Sequence, residues 1–291
     1  MRRRDLCFIV GLFLLLVTIS AFSFAEDVNG GKTILCFDLA TIFEHEPAQI
    51  DGEGSSFFAR MIAEFAAEYG LDVEYTKDGS VFEKDLSGYV GFAFYTCDDL
   101  SEPKEGQIPV TPEGEKNLLD AVRKGAGFFA IHSSVWTWAR GHRETKFHSP
   151  FNRMLGAGVV GHGNPQETEV FPTEPVELPS LKKRDGKSFR HFEEWYSLYD
   201  FNPDIHVLLI QETKGMAKEG GDAVYDRAPF PCAWIRREGE GRVAYASFGH
   251  DIEKLSDAPV PEILFDLFSF TIGKLDLDTF PNFHEVCPDA D

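Results

Sequence analysis

Short apolar runs alternate with amphipathic segments in the first half of the chain, and this alternation constrains the fold more than any other feature. Strands are predicted at Thr33–Phe37, Leu71–Tyr75, Tyr89–Tyr95 and Gly127–Ile131. Helices are predicted between them, from Phe57 to Tyr69 and from the helix-capping residue Thr111 to Arg123. Strands that alternate with helices predict right-handed crossovers and a mainly parallel sheet. The predicted fold class is therefore α/β.

The second half gives weaker signals. Three strands are predicted at Val207–Ile210, Cys232–Ile235 and Arg242–Ala246, with a hairpin between the last two. A closing amphipathic helix is predicted from Pro261 to Gly273. Residues 139–200 are rich in His, Pro and Gly, which indicates either a site-forming insertion or elements that the pattern does not reveal. We expect one domain, with its core at about residues 32–275.

The N-terminus resembles a secretory signal peptide. Arg2–Arg4 form a basic start, residues 6–24 are almost wholly apolar, and small residues precede a cleavage point after Ala25. We expect residues 26–291 to be a mature periplasmic or secreted protein. A retained N-terminal anchor is the alternative, because the apolar stretch is nearly long enough to span a bilayer. No later segment is apolar enough to cross a membrane.

Charge and cysteine content exclude some classes of partner and site. The formal net charge is -20, which repels nucleic acid and anionic membrane surfaces, so neither is expected as a partner. Four cysteines follow the predicted signal, at Cys36, Cys97, Cys232 and Cys287, and no Cys-x-x-Cys motif indicates a zinc–thiolate site. Cys36 and Cys97 are interpreted as buried free thiols. Disulfide pairing and homo-oligomerisation stay open.

Histidines follow three predicted strands, at the sheet edge where open α/β proteins bind ligands. His132 and Ser133 follow the fourth strand, His45 follows the first and His250 follows the last. We expect them to meet His162 and Glu193–Tyr196 in one crevice. Glu193 and Glu194 also have the plainer interpretation of solvated charge. The remaining histidines are expected on the surface or in loops: His142, His148, His191, His206 and His284.

Five motifs in order resemble the trehalose-utilisation (ThuA-like) family. Gly125–Ser133 is similar to the family's Gly-Gly-Gly-Phe-Val-Gly-Ile-His-Ser strand and turn, and Gly161-His162 to its glycine–histidine pair. Glu193–Tyr196 is similar to its acidic–Glu–aromatic–Tyr motif. Phe43–His45 resembles its early histidine motif, and Pro231–His250 contains its closing block. Order and spacing agree over nearly the whole predicted mature chain.

The resemblance implies a class I glutamine-amidotransferase-like fold, a flavodoxin-like three-layer sandwich, and a role in the catabolism of trehalose and related disaccharides. Amidotransferase relatives have a cysteine at the turn after the central strand, where this chain has His132 and Ser133, so thiol-based glutamine hydrolysis is not expected. The family's short polar helix is replaced by a segment with Trp136 and Trp138. These rings either stack on a sugar or pack within the insertion.

We expect an enzyme that acts on a disaccharide or keto-sugar, with His132 and Glu194 as the acid/base pair and the reaction class open. Substrate binding is assigned to His45, Ser133, His162, Tyr196, His250 and Trp136. A non-catalytic sugar-binding or accessory protein with the same pocket is the alternative. A two-carboxylate glycosidase would need a second carboxylate, for which Asp38 and Asp251 are candidates.

No cofactor is predicted, and metal binding is the minority interpretation. In that interpretation a divalent ion such as zinc is bound by His45, His132, His162 and His250, with Glu194 near it. The chain has no His-x-x-x-His spacing to support such a site.

Overall fold

The computed structural model describes residues 32–139, 149–217 and 225–290. The strands are β1 (Thr33–Phe37), β2 (Asp72–Thr76), β3 (Tyr89–Phe94), β4 (Gly127–Ile131), β5 (Gly158–His162), β6 (Gln166–Pro172), β7 (Phe189–Glu193), β8 (Tyr196–Tyr199), β9 (His206–Gln211), β10 (Phe230–Glu238) and β11 (Gly241–Ala246). The helices are α1 (Phe57–Ala67), α2 (Pro112–Arg123), α3 (Pro150–Leu155), α4 (Pro179–Lys182), α5 (Ile252–Ser256), α6 (Val260–Thr271) and α7 (Phe283–Val286). Short 3₁₀ helices cover Glu46–Ala48, Gly79–Glu83 and His132–Trp136. The predicted signal peptide, His142 and His148 lie outside the described residues.

A nine-stranded mixed sheet has the order β2-β1-β3-β4-β11-β10-β9-β6-β7. The first five strands in this order are parallel to one another. The other four continue the sheet through antiparallel pairs, so β9 and β7 again run with the parallel strands. A separate small sheet pairs β5 with β8. The predicted α/β class is confirmed, with a large, mostly parallel central sheet.

Both faces of β1, β3 and β4 are largely buried, which explains why these inner parallel strands are almost continuously apolar. In β1, Ile34 and Cys36 face one hydrophobic cluster and Leu35 and Phe37 face another. Helices α1 and α6 contribute to the first cluster, and α2 and α3 contribute to the second. A strand between two such layers has no polar face to expose, so its sequence does not alternate.

Several predicted boundaries are confirmed. Thr111 caps α2 by accepting a hydrogen bond from the N–H of Gly114 at 3.1 Å, and Ser56 caps α1 by accepting one from Ala59 at 3.0 Å. The predicted hairpin is the antiparallel pair β10–β11, which ends with Glu238 opposite Gly241. These ends are set by local chemistry, which the sequence displays directly.

Of the two interpretations given for residues 139–200, the structure favours elements that the pattern did not reveal, because the described part of the region is largely regular although it contributes residues to the site. Strands β5 to β8 and helices α3 and α4 lie between residues 150 and 199. His191 is on β7 and His206 is on β9, and each is buried, so their predicted surface positions are wrong. His284 is exposed on α7, as expected.

The predictions about thiols and membrane spans concern the described residues. Cys36, Cys97, Cys232 and Cys287 are all buried and free, which confirms the interpretation of Cys36 and Cys97. In the part of the chain that the structure covers, no helix combines the length and the apolar character needed to cross a membrane.

Candidate functional site

A strained turn after β4 places His132 at the carboxyl edge of the sheet. Its φ of 46° lies in the left-handed region, which costs a non-glycine residue about 1–3 kcal/mol. The N–H at Nδ1 of His132 donates to the carbonyl of Ser247 at 3.0 Å, since a carbonyl can only accept. Gly249 packs on the same ring: its φ is 145°, and a Cβ there would lie 2.8 Å from Cβ of His132. The imidazole is therefore held with Nε2 directed into the site.

Glu194 lies between four histidines that come from four different segments. Its Oε2 is 3.5 Å from Nε2 of His45, 3.6 Å from Nε2 of His132 and 3.3 Å from Nδ1 of His250. Its Oε1 is 3.2 Å from Nδ1 of His162. Donor atoms of His45, His132, Glu194 and His250 all lie within 4.8 Å of one another. Residues far apart in sequence thus meet at one edge of the sheet.

The neighbouring carboxylate of Glu193 faces the opposite way and holds the backbone of the site. It accepts hydrogen bonds from the N–H groups of Gly249 at 2.7 Å, Glu194 at 2.8 Å and His250 at 3.1 Å. Burial raises the pKa of Glu193 to about 8, against the opposing effect of these three donors. Because both Glu193 and Glu194 are buried, their interpretation as solvated charge is wrong.

Burial and the contacts within the cluster determine which of its side chains are charged. Burial lowers the pKa of His132 to about 4 and also lowers that of His45. Burial alone would raise the pKa of Glu194, but its close contacts with the imidazole nitrogens of His132, His250 and His45 outweigh it and hold that pKa well below its ordinary value. The contact between Nδ1 of His250 and Oε2 of Glu194, at 3.3 Å, in turn raises the pKa of His250. Near neutral pH, an ionised carboxylate therefore faces two neutral imidazoles.

A cavity of about 370 Å³ opens in front of Glu194, a volume suited to a small molecule. Its wall is formed by Ile42, Phe43, His45, Cys97, Asp98, Trp136, His162, Glu194 and Tyr196. The sequence pattern did not reveal Asp98, although it closely follows β3 at the same sheet edge. Its φ is 72°, and its Oδ2 accepts hydrogen bonds from the N–H groups of Ile42 at 2.9 Å and Phe43 at 3.1 Å. Asp98 thereby shapes the loop that carries His45.

Comparison with known proteins identifies the family. The ThuA family model, described as trehalose utilisation, matches residues 39–268. The chain belongs to the ThuA family. A crystal structure of a ThuA-like protein from Bacteroides uniformis is 21% identical, with a TM-score of 0.59 over 82% of this chain and 91% of that one. Another, from Parabacteroides merdae, is 15% identical, with a TM-score of 0.58 over 86% and 95%. No curated protein matches the chain in sequence.

Five residues of the predicted site line the cavity of this ThuA protein: His45, Trp136, His162, Glu194 and Tyr196. The hydroxyl of Tyr196 is 3.5 Å from Nε2 of His45. The ring of Trp136 lies edge-on to that of His162, with centroids 6.4 Å apart. The wall thus combines aromatic surface with ionisable groups.

Other predicted residues lie behind the wall. His132 is fully buried and is not among the residues that line the cavity. Ser133 is also buried, and its hydroxyl donates to the carbonyl of Thr96 at 3.0 Å. Trp138 packs edge-on against Phe151 at 5.2 Å in the core, as its packing interpretation expects. Ser133 therefore does not face a substrate in the cavity.

The alternative chemistries have little geometric support. Asp38 is paired with Lys77 at 2.9 Å, and Asp251 caps α5 by accepting from the N–H of Lys254 at 2.7 Å, so neither lines the cavity as a glycosidase carboxylate. The turn after β4 carries His132 rather than a thiol. Burial raises the pKa of Cys97, the thiol in the cavity wall, so it is protonated and weakly nucleophilic at neutral pH.

Replacing His191 with Phe should make the protein less sensitive to acid. Burial lowers the pKa of His191 to about 4 from an unfolded value of 6.5, so between these values the unfolded chain binds more protons. Stability therefore falls as pH falls through this window, by about 2 kcal/mol per such residue at pH 4.5. His191→Phe should lose less unfolding free energy than wild type between pH 7 and pH 4.5 in urea titrations, whereas the exposed control His284→Ala should match wild type. Equal losses in all three proteins would refute the assignment.

Proposed function

We propose that this ThuA protein is an enzyme that transforms a carbohydrate, either a disaccharide or a keto-sugar, in the cavity in front of Glu194. The observation that carries the proposal is the convergence of an ionised carboxylate and several imidazoles on a wall that also contains aromatic rings. Trp136 and Phe43 offer faces against which the C–H groups of a sugar ring can pack. The family's description as trehalose utilisation supports a carbohydrate substrate.

Two members of the cluster that line the cavity and contact each other, Glu194 and His162, are the groups that act on substrate. Glu194 and His162 both line the cavity and lie 3.2 Å apart, so they can exchange a proton with a sugar hydroxyl or with the carbon beside a keto group. Tyr196 can donate to a developing oxyanion. His132, predicted as half of the acid/base pair, is buried behind Glu194 and acts through it.

Two finer expectations belong to the same proposal. The parallel strands follow the order β2-β1-β3-β4-β11, which supports a flavodoxin-like, amidotransferase-like sandwich as the parallel part of the fold. We also expect export after cleavage at Ala25, because residues 1–25 have the pattern of a secretory signal. Sequencing the N-terminus of protein from the producing cells tests the cleavage.

The test is turnover of trehalose, other disaccharides and their 3-keto derivatives, followed by NMR. We expect conversion of at least one of these compounds by wild type. His162→Ala should lower kcat/KM by about 100-fold, because positioned acid–base groups contribute about that much or more. The matched control His284→Ala, on the exposed face of α7, should retain full activity.

The outcomes separate the two functional classes. Saturable binding of a disaccharide with no conversion of any compound would replace the enzyme by the non-catalytic sugar-binding protein. Conversion that is unchanged in His162→Ala would remove His162 from the mechanism.

A further inference from the structure

We propose that His45, His132, His250 and Glu194 bind a divalent first-row transition-metal ion such as Zn²⁺. The proposal extends the function inferred above, and only the role of the bound ion in the reaction rests on that function. Binding of the ion is nevertheless measurable without turnover. The donor set, three imidazole nitrogens and one carboxylate oxygen, is one that zinc prefers, whereas Ca²⁺ and Mg²⁺ prefer oxygen ligands alone.

The spacing of the donor atoms fits an ion better than it fits hydrogen bonds. Oε2 of Glu194 lies 3.3–3.6 Å from the three nitrogens, beyond the usual range of about 2.7–3.2 Å for N–H···O bonds. Ligands at about 2.0–2.2 Å from a tetrahedral zinc ion are about 3.3–3.6 Å from one another. The three contacts of Oε2 therefore already have the spacing expected between ligands of one ion, and all four donor atoms lie within 4.8 Å of one another.

The tautomer of His132 provides a second, independent observation. Its Nδ1 proton is donated to the carbonyl of Ser247, so a neutral ring presents the lone pair of Nε2 to the carboxylate of Glu194. Within the described residues, this fully buried nitrogen has no hydrogen-bond partner. Two lone pairs that face each other repel unless a positive charge lies between them. A metal ion supplies that charge, and ligating histidines commonly donate their other N–H to a carbonyl in this way.

The surroundings hold the ligands in place. Glu193 accepts hydrogen bonds from the N–H groups of both Glu194 and His250, which fixes the backbone of two ligands. Lys77 bonds to the carbonyl of Ala48 at 2.7 Å and to Oε1 of Glu44 at 2.9 Å, which ties down the loop that carries His45. A site whose supporting groups are already positioned binds metal without a costly rearrangement.

The cavity gives the ion access to a small molecule. His45 and Glu194 line the wall, so the ion faces the space where the carbohydrate is proposed to bind. His162 contacts the other oxygen of Glu194 and has an exposed fraction of 41%. It is therefore assigned to proton transfer rather than to metal binding, which differs from the ligand set suggested by the sequence. The ion would polarise a sugar oxygen or a water at the cavity floor.

The test measures metal binding directly. The purified protein is treated with a chelator, dialysed and titrated with Zn²⁺ by calorimetry, with Co²⁺ absorption as a second readout. We expect one ion per chain and a cobalt spectrum of four- or five-coordinate type. His250→Ala, at a position whose side chain is 27% exposed, should weaken zinc binding by about 100-fold or more and abolish the zinc-induced rise in Tm. The matched control His284→Ala should bind as wild type does.

Each result decides one of the two proposals. A folded wild-type protein that takes up neither ion, or tight binding retained in His250→Ala and in Glu194→Gln, would overturn the metal site. Sugar conversion by metal-free protein would leave the proposed function standing without the ion. Stoichiometric binding that depends on these residues, without any sugar conversion, would leave the metal site standing and remove the proposed function.

Discussion

Glu194→Gln should lower kcat/KM for the converted sugar by about 1000-fold or more while the protein stays folded. The substitution keeps the shape of the side chain but removes the charge that all four histidines contact. An amide cannot accept a proton at neutral pH, and its NH₂ group would present donors where Oε1 or Oε2 now faces imidazole nitrogens. Both the proton transfer and the orientation of the rings would suffer, and positioned acid–base catalysis alone is worth about 10²–10⁴ in rate.

The measurement is steady-state turnover, with circular dichroism and Tm recorded for each variant. Glu167→Gln is the matched control, because Glu167 is an exposed carboxylate on β6 whose contact is the surface residue Arg190. The control should retain wild-type kcat/KM. A Glu194→Gln enzyme with more than a tenth of the wild-type value would show that this carboxylate is not central to the reaction.

The parallel half of the fold could be predicted from the sequence because its signals are local. β1 and β4 are uninterrupted apolar runs, and a strand buried on both faces must have such a composition. Thr111 and Pro112 mark the start of α2 by the chemistry of the first helical turn. Each of these signals is contained within one element and does not depend on the rest of the fold.

Strands β5 to β8 were not predicted, because the buried residues of this region are partly polar. The inward-facing residues of β7 are Phe189, His191 and Glu193, so two of the three positions that would show apolar alternation carry titratable groups. Such residues can be buried only because partners elsewhere in the fold accommodate them, and a local pattern contains no record of those partners. The formation of these strands therefore depends on tertiary contacts rather than on a local sequence pattern.

The site, too, has features that the sequence predicts and features that depend on tertiary packing. His45, His132 and His250 could be predicted to meet because each follows a strand of the predicted sheet, and carboxyl ends of parallel strands share an edge. The different roles of Glu193 and Glu194 follow from their adjacency, which turns one carboxylate towards the backbone of Gly249 and the other towards the cavity. Whether His132 faces substrate or lies behind Glu194 depends on packing. The sequence therefore indicated the members of the site more accurately than their roles.

Glu193→Ala should destabilise the protein by about 3 kcal/mol or more and also impair turnover, although Glu193 does not line the cavity in front of Glu194. The substitution leaves three backbone N–H groups without their acceptor, the buried ones of Gly249 and Glu194 and the partly buried one of His250. A buried donor left unsatisfied costs about 1–3 kcal/mol, and removal of the side chain adds the cost of a void. Because two of these donors belong to site residues, the loop that carries His250 should shift and lower kcat/KM.

Glu193→Gln is a milder substitution at the same position. Its carbonyl oxygen can still accept hydrogen bonds from the N–H groups of Glu194 and His250, whereas its NH₂ group would face the N–H of Gly249, donor against donor. We expect a smaller loss of unfolding free energy than for Glu193→Ala in urea denaturation at pH 7.5, and an intermediate kcat/KM. This order separates a positioning role from a generic core defect, since a carboxylate that merely filled space would be replaced by glutamine without effect on either quantity. If Glu193→Ala retained wild-type stability and turnover, the backbone around His250 would be held by other contacts, and the preorganisation of the cluster would have to be sought there.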